Sequence, residues 1–294
     1  MTPADRTFGI DLALVPASQA GLPLTDLTIR RGYGAFDFLR VEGGVPLFAD
    51  DHLARLERSA ELLGLSPRPD PGALRRHVAD VIAANGHGSF GMQLFLTGGD
   101  PVDGFTPGTP RTLVIVVDLP SYPDAWYRDG VALLPHRHQR DLPEAKTTNY
   151  FTAVRLAGAM RAAAAADVLY HDGRRVLETT RCNLFVATGD GTLATPGRDV
   201  LPGVSRKRML RALNGVATVE ERDVPMDELL AAPEAFLTST TKGVMPVTRV
   251  GDATLGDGRP GPLGRRAADA FAAHRDAWLR DHAAAWSPAS DRVS

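Results

Sequence analysis

One lysine in the middle of the chain raises the question of whether its amine is a solvated surface cation or a reactive group. Lys146 lies in the segment EAKTTNYF, between an alanine and two threonines, and an asparagine and two aromatic residues follow. Further cations lie nearby in the sequence, namely Arg137, Arg140 and Arg155. A lysine amine with a lowered pKa can attack a carbonyl group or carry a proton, so this segment is a candidate catalytic site.

Two other segments have the composition of anion-binding turns. In PGVSRK, Gly203, Val204 and Ser205 lie at a predicted helix start, where backbone N–H groups and the helix dipole attract a phosphate. The segment TSTTKG places four hydroxyl groups in a row at a predicted turn. Taken alone, each segment is typical of an ordinary helix N-cap or polar turn.

Several common kinds of site are excluded by the sequence. It contains no G-x-G-x-x-G, P-loop, G-x-S-x-G or H-E-x-x-H motif. His136 and His138 lie on one face of a predicted strand, but no third ligand has suitable spacing, so we expect no metal site. The single cysteine, Cys182, excludes an internal disulfide and a cysteine-rich metal site.

Composition indicates a folded globular protein. The chain has 294 residues, of which 44% are hydrophobic and 23% charged, and its length favours two domains. The net charge of -2 and the lack of a basic block argue against nucleic acid as a partner. No apolar stretch reaches the roughly 18 residues of a membrane span, so we expect no membrane partner and a cytoplasmic protein.

The hydrophobic pattern predicts helices interspersed with strands, without strict alternation, which is typical of an α+β fold. In the first half, GAFDFLRVEGGVPLFADD reads as two strands, and a helix follows with Asp50 or Asp51 as its N-cap. A second helix begins at Pro71, and two strands come after it. The second half is predicted to contain a helix after Lys146, a run of strands with two Asp-Gly turns, a helix from PGVSRK and a closing helix. We place the domains at residues 1–120 and 126–294, with a linker at 121–125.

Six segments occur in the order that is typical of one enzyme family. They are RRGYGAFDFLR, HLARLERSAELLGL, KTTNYF, LETTRCNLF, LPGVSRKRML and TSTTKGVMPV. The chain thus resembles the class IV, fold-type IV enzymes that use pyridoxal 5'-phosphate (PLP). The family includes D-amino-acid transaminases, branched-chain L-amino-acid transaminases and aminodeoxychorismate lyases. The resemblance implies a small α/β N-terminal domain, a larger C-terminal domain with a β-barrel-like sheet and helices, and a homodimer with active sites near the subunit interface.

The resemblance also implies how the cofactor is held. Lys146 matches the lysine that binds the PLP aldehyde covalently, which requires a primary amine. Glu178 matches the carboxylate beside the pyridine nitrogen, and Arg55 matches the arginine that binds the phosphate. The remaining residues that match cofactor contacts are Tyr150, Val204, Ser205 and Thr240.

The substrate is less clearly indicated, because two usual signatures are missing. The strand FGMQLFLTGG lacks the tyrosine-x-arginine-proline pattern of branched-chain enzymes, and TGGDPVDGF lacks the arginine and histidine of well-known D-amino-acid transaminases. Arg31 stands where relatives have an aromatic residue, and Arg181 stands where they have a small one. We therefore assign Arg31, Arg181 and Thr241 to the substrate, whereas Arg30 reads as a surface residue.

These assignments predict a less common D-amino-acid transaminase that acts on D-glutamate or D-alanine with 2-oxoglutarate or pyruvate. A branched-chain L-amino-acid transaminase and an aminodeoxychorismate lyase are the alternatives within the family. A binding protein that has kept the fold without the reaction is a further alternative. Such a protein is expected to have lost the lysine or the ring carboxylate, and the sequence has both.

Overall fold

The chain forms two compact units in a computed structural model that describes residues 5–86 and 88–286. The first unit comprises Met1–Pro120, Ala145–Asn149 and Ala277–Ser294, and the second comprises Ser121–Glu144 and Tyr150–Asp276. Helices and strands are mixed in both, which confirms the predicted α+β class. The domain limits remain a prediction. The predicted large domain, 126–294, includes the segments 145–149 and 277–294, which here belong to the first unit.

The first unit contains a six-stranded antiparallel sheet in the order β2-β1-β6-β5-β3-β4. Buried and half-buried residues alternate along much of β3 and β6, as expected of strands with one face packed on a core. The strands of this sheet are β1 (Thr7–Ile10), β2 (Ala13–Pro16), β3 (Gly34–Glu42), β4 (Val45–Pro46), β5 (Phe90–Thr97) and β6 (Thr112–Val117).

Three helices accompany this sheet, namely α1 (Leu27–Arg31), α2 (Ala49–Leu62) and α3 (Pro71–Ala84). Helix α2 packs on β3, and α3 packs on β1 and β2. Helix α3 begins at Pro71 as predicted, after Asp70 as its N-cap. The predicted N-cap of α2 was wrong, because Phe48 takes that position with a φ of 55°. Asp50 and Asp51 lie in the first turn, where their negative charges interact favourably with the positive end of the helix dipole.

The second unit is built on a ten-stranded mixed sheet in the order β12-β11-β10-β14-β15-β7-β8-β9-β13, with β16 beside β15. The pairs β7–β8, β7–β15 and β11–β12 are parallel. Its strands are β7 (Val131–Arg137), β8 (Asp167–His171), β9 (Arg175–Thr179), β10 (Asn183–Ala187), β11 (Leu193–Pro196), β12 (Val219–Arg222), β13 (Val224–Pro225), β14 (Ala235–Ser239), β15 (Gly243–Val250) and β16 (Ala253–Thr254).

The remaining helices are α4 (Asp124–Arg128), α5 (Phe151–Ala162), α6 (Val204–Ala212), α7 (Met226–Ala231) and α8 (Pro262–Trp286). The predicted helices after Lys146 and in PGVSRK are thus confirmed as α5 and α6. Both predicted Asp-Gly turns are also found, and Gly173 and Gly191 have φ values of 106° and 84° that favour glycine. Within residues 5–86 and 88–286, no helix has the length and apolarity to cross a membrane.

Candidate active site

The Lys146 segment is fixed along the beginning of β3 in the first unit. Phe36 N donates to Lys146 O at 2.9 Å, and Thr148 N donates to Gly34 O at 2.9 Å. The Thr148 hydroxyl adds a bond of 2.6 Å to Gly32 O. These bonds at Lys146 and Thr148 hold the backbone of the segment in one position, which suits a reactive side chain.

The Lys146 side chain is half-buried and lies against an aromatic ring. Its Nζ atom is 4.5 Å from the centroid of the Phe36 ring. A cation is attracted to the face of such a ring, and the ring also removes part of the water around the amine. The amine is therefore not an ordinary solvated cation.

Ser59 in α2 connects Lys146 to Arg55, another residue predicted for the site. The Ser59 hydroxyl donates to Arg55 O at 2.8 Å and accepts from Lys146 N at 3.0 Å. Ser59 is fully buried, so this link is shielded from water. The structure thus brings Arg55 and the Lys146 backbone together through one hydroxyl.

The Arg55 guanidinium belongs to a buried charged cluster. Its Nε and Nη2 atoms donate to the two Asp37 carboxylate oxygens, each at 2.8 Å, and His52 Nδ1 is 2.7 Å from Asp37 Oδ1. Burial alone would raise the pKa of Asp37, but the charges of Arg55 and His52 outweigh it and hold that pKa below its usual value. Asp37 therefore stays ionised and fixes the orientation of Arg55, whose phosphate-binding role stays a prediction.

Glu178 lies on β9 in the second unit, and its carboxylate is buried and fully engaged. Arg140 donates to its Oε1 atom from Nε at 2.8 Å and from Nη2 at 2.6 Å. Leu201 N donates to Oε2 at 3.0 Å. A fork of guanidinium donors of this kind stabilises the anionic form of a carboxylate.

The same carboxylate is linked to the chain that leads into α6. Asn183 Nδ2 donates to Leu201 O at 2.9 Å, two residues before Gly203. Gly203 is the N-cap of α6 and makes no side-chain cap, so the first N–H groups of Val204 and Ser205 lack such a partner. A Cβ atom at Gly203 would lie 1.9 Å from Asn183 Oδ1, so a larger residue there would force the Asn183 side chain to move. Glu178 is therefore linked through Leu201 to the segment that leads into α6.

The two turns that carry predicted substrate residues differ in their contacts. Arg181, between β9 and β10, is exposed, and within the described part of the chain its guanidinium has no hydrogen bond or ion pair. Thr241, between β14 and β15, shares a hydrogen bond of 3.0 Å with the Tyr122 hydroxyl. Thr240, its neighbour in that turn, and Tyr150, the N-cap of α5, are both half-buried.

Arg31 lies at the end of α1 in the first unit. It is exposed, its Nη1 atom donates to Arg30 O at 3.0 Å, and its guanidinium carbon is 6.0 Å from the Phe105 ring centroid. Phe105 belongs to the Gly/Pro loop between β5 and β6 and is 80% exposed. Arg31 and this loop therefore present an exposed surface.

Comparison with known proteins identifies the family. The amino-transferase class IV family matches residues 34–250, which is most of the chain. The D-alanine aminotransferase of Bacillus licheniformis is 30% identical over 258 residues, or 85% of this chain and 90% of that protein. The chain belongs to the class IV aminotransferases.

Two further relatives are branched-chain enzymes. Branched-chain-amino-acid aminotransferase 3, chloroplastic, of Arabidopsis thaliana is 29% identical over 246 residues, and the match spans 74% of this chain and 59% of that protein. The solved branched-chain amino acid aminotransferase of Escherichia coli superposes with a TM-score of 0.84 at 22% identity, covering 92% of this chain and 94% of that one. Its fold confirms the predicted fold-type IV class.

Class IV aminotransferases use PLP, and the chemistry of the available groups fits this cofactor. Its aldehyde, its pyridine nitrogen and its phosphate require an amine, an ionised carboxylate and hydrogen-bond donors, respectively. Groups of these kinds are present in the amine of Lys146, the carboxylate of Glu178, and the donors at the start of α6 and on Arg55, and their roles toward PLP remain predictions. When bound, PLP supplies an electron sink for negative charge at the substrate Cα.

Sequence reasoning missed the residues that orient these groups. Arg140 was noted near Lys146, but its partner Glu178 is 38 residues away in the sequence. Asp37 and His52 also escaped notice, although a buried Asp in a strand of apolar residues signals a paired charge. Another missed residue is Asn183, whose position in LETTRCNLF was quoted without a role.

Proposed function

We propose that this class IV aminotransferase transfers amino groups between D-amino acids, such as D-glutamate and D-alanine, and 2-oxo acids such as 2-oxoglutarate and pyruvate. The observation that supports it most is Arg181. This guanidinium follows Glu178 by three positions and has no acceptor within residues 5–86 and 88–286. A substrate carboxylate would provide that acceptor.

The roles of the other residues follow from their surroundings. Lys146, fixed by β3 and Ser59, binds the cofactor and moves the proton at the substrate Cα. Glu178, held charged by Arg140, keeps the proton on the pyridine nitrogen. Arg55, the N–H groups of Val204 and Ser205, and the Thr240 hydroxyl bind the phosphate, and Tyr150 contacts the ring oxygen.

The substrate preference rests on two kinds of support. The alignment with this chain covers 90% of the D-alanine aminotransferase of Bacillus licheniformis, whereas it covers 59% of the Arabidopsis thaliana branched-chain enzyme. The strand β5 also lacks the tyrosine-x-arginine-proline signature of branched-chain enzymes. The branched-chain relatives nevertheless favour an L-specific transaminase as the second candidate function.

We also propose that the enzyme is a homodimer. Helix α5 has no buried residue, and Phe151 and Val154 on it are 72% and 73% exposed. Apolar side chains of this size rarely remain uncovered together, and a second copy of the chain would cover them. In a homodimer, the exposed Arg31 of one subunit would contact the substrate in the active site of the other subunit.

A substrate panel tests the proposed function directly. The PLP-loaded enzyme is incubated with D- and L-forms of glutamate, alanine, leucine and valine, each with 2-oxoglutarate or pyruvate, and the new amino acid is measured on a chiral column. We expect turnover of D-glutamate and D-alanine. Turnover of L-leucine and L-valine alone would support the branched-chain function, and pyruvate release from aminodeoxychorismate alone would exclude both.

A further inference from the structure

A buried ion pair in the second unit lies outside every group assigned so far. Asp167 is the first residue of β8, and Lys242 lies in the turn between β14 and β15. Lys242 Nζ is 2.8 Å from Asp167 Oδ2, and each side chain is 1% exposed. Lys242 also donates to the Cys182 Sγ atom at 3.5 Å. Lysine is almost never buried to this extent unless it is paired, because its ammonium loses hydration on burial.

The second oxygen of Asp167 holds a different turn. Its Oδ1 atom accepts from the Thr180 hydroxyl at 2.5 Å and from Thr180 N at 3.3 Å. Thr180 lies between β9 and β10, next to Arg181. Asp167 therefore binds two turns. Its Oδ1 atom binds the 180–182 turn, and its Oδ2 atom binds Lys242 in the 239–242 turn.

Strand register places these turns side by side. Asn183, at the beginning of β10, pairs with Thr238, near the end of β14. Two bonds act within one turn, since Cys182 N donates to the Thr179 hydroxyl at 3.0 Å and Lys242 N to the Ser239 hydroxyl at 3.1 Å. The contact of Lys242 Nζ with Cys182 Sγ, in contrast, joins the two turns. The Asp167–Lys242 pair is thus a side-chain link from one turn to the other.

The charges of the pair are stable around neutral pH. Burial by itself lowers the pKa of Lys242, but the side chains of Cys182 and Asp167 outweigh burial and raise that pKa above its ordinary value. Burial likewise raises the pKa of Asp167, but Lys242 and the Thr180 hydroxyl hold it below its ordinary value. Buried ion pairs are often no more stabilising than apolar residues of similar volume, so fold stability does not by itself account for this one.

We propose that Asp167 and Lys242 are positioning residues for the substrate, because their bond sets the distance between the turn that carries Arg181 and the turn that carries Thr241. This inference rests on the proposed function of Arg181 and Thr241. Neither Asp167 nor Lys242 contacts the substrate in this account. Tyr122 and Tyr127 complete the arrangement, since they bind Thr241 and the Lys242 carbonyl at 3.0 and 3.1 Å.

The test separates positioning from stability with an apolar replacement of the pair. The single variants Asp167→Leu and Lys242→Met each leave a buried charge unpaired and should lower the unfolding midpoint. The double variant has no unpaired charge, so its midpoint should recover toward that of the wild type. We nevertheless expect faster amide hydrogen exchange in the 180–182 and 239–242 turns and a KM raised at least about fivefold, with kcat changed less than about twofold.

Two controls keep the result decisive. The double variant Arg222→Met with Glu228→Gln removes a half-exposed ion pair elsewhere in the unit and should leave exchange in both turns and KM unchanged. If the Asp167 and Lys242 double variant does not fold, Thr180→Val removes one bond to Asp167 and leaves the ion pair in place. That variant should speed exchange in the 180–182 turn and raise KM about two- to fivefold.

The positioning role would be overturned if a folded double variant, or Thr180→Val, showed the same amide hydrogen exchange in these turns and the same KM as the wild type. The exchange measurement uses no substrate, and KM is measured with whichever enantiomer the wild type accepts. A preference for L-amino acids would therefore contradict the proposed function and leave this test intact.

Discussion

Replacement of Arg140 by methionine tests the Glu178 site most sharply, because it removes the donors from a buried carboxylate and keeps the side-chain volume. In the wild type, Arg140 makes two charge-assisted hydrogen bonds to Glu178 Oε1 and also donates to Pro143 O. The Arg140 side chain is 21% exposed, and that of Glu178 is 7% exposed. After the substitution, Leu201 N still donates to the other oxygen.

The expected cost follows from this geometry. Breaking a buried ion pair by removal of one partner costs about 3–5 kcal/mol, and the partial exposure of Arg140 places this case near the lower end. A loss of about 3 kcal/mol lowers the melting temperature by roughly 6–12 °C for a unit of this size. The double variant with Glu178→Gln should recover more than half of the loss, because the amide carries no unpaired charge.

Differential scanning calorimetry of the cofactor-free protein measures these changes. Arg198→Met is a matched control, because Arg198 pairs with Asp223 but is 66% exposed. That substitution should cost less than about 1 kcal/mol. Equal, small effects of the Arg140 and Arg198 substitutions would refute the conclusion that Glu178 depends on Arg140.

Four further outcomes are expected. Lys146→Ala should abolish turnover while the far-ultraviolet circular dichroism spectrum stays unchanged, because the variant lacks the amine that we assign to the aldehyde. Arg31→Ala or Arg181→Ala should each raise KM for D-glutamate at least about tenfold, equivalent to ~1.4 kcal/mol, with PLP affinity unchanged. Burial lowers the pKa of His52, so the unfolded chain takes up its proton first and stability falls as pH drops below 6.5. His52→Gln should flatten that slope of the unfolding free energy. Phe151→Asp should convert an active dimer to a monomer in analytical ultracentrifugation.

Each of these outcomes has a counterpart that would contradict it. Arg30→Ala is the control for the neighbouring Arg31, and KM values that change equally in both variants would exclude a specific role. Leu230→Asp changes a residue that is 39% exposed on α7, and loss of the dimer there as well would argue against the α5 surface. An active wild-type monomer, full activity in Lys146→Ala, or an unchanged pH slope in His52→Gln would each disprove its own prediction.

The sequence predicted the elements with strong patterns and missed those without them. Helix α3 has a proline start, and β9 and β10 have alternating or continuous apolar runs, so their positions were evident. The β1–β2 hairpin was missed because its two-residue turn consists of Asp11 and Leu12, with φ values of 49° and 66°, instead of a glycine-containing pair. The N-cap of α2 was misplaced because an aromatic residue, Phe48, adopts a positive φ there.

The same contrast holds for the site. Lys146, Glu178 and Ser205 lie in short segments whose residue types and order are typical of the family, so sequence sufficed to nominate them. The residues that orient them are distant in the chain, since Arg140 is 38 residues from Glu178 and Lys242 is 75 residues from Asp167. Only the folded sheet brings such pairs together, and no local pattern marks them.

The proposed attachment of PLP to Lys146 can be tested by peptide mapping. The PLP-loaded enzyme is treated with borohydride, which fixes the cofactor to the amine that holds it, and the tryptic peptides are analysed by mass spectrometry. We expect the added mass on the peptide that contains Lys146, and not on the peptides that contain Lys207 or Lys242. Labelling of another lysine, or a cofactor that stays removable after reduction, would contradict the assignment of Lys146.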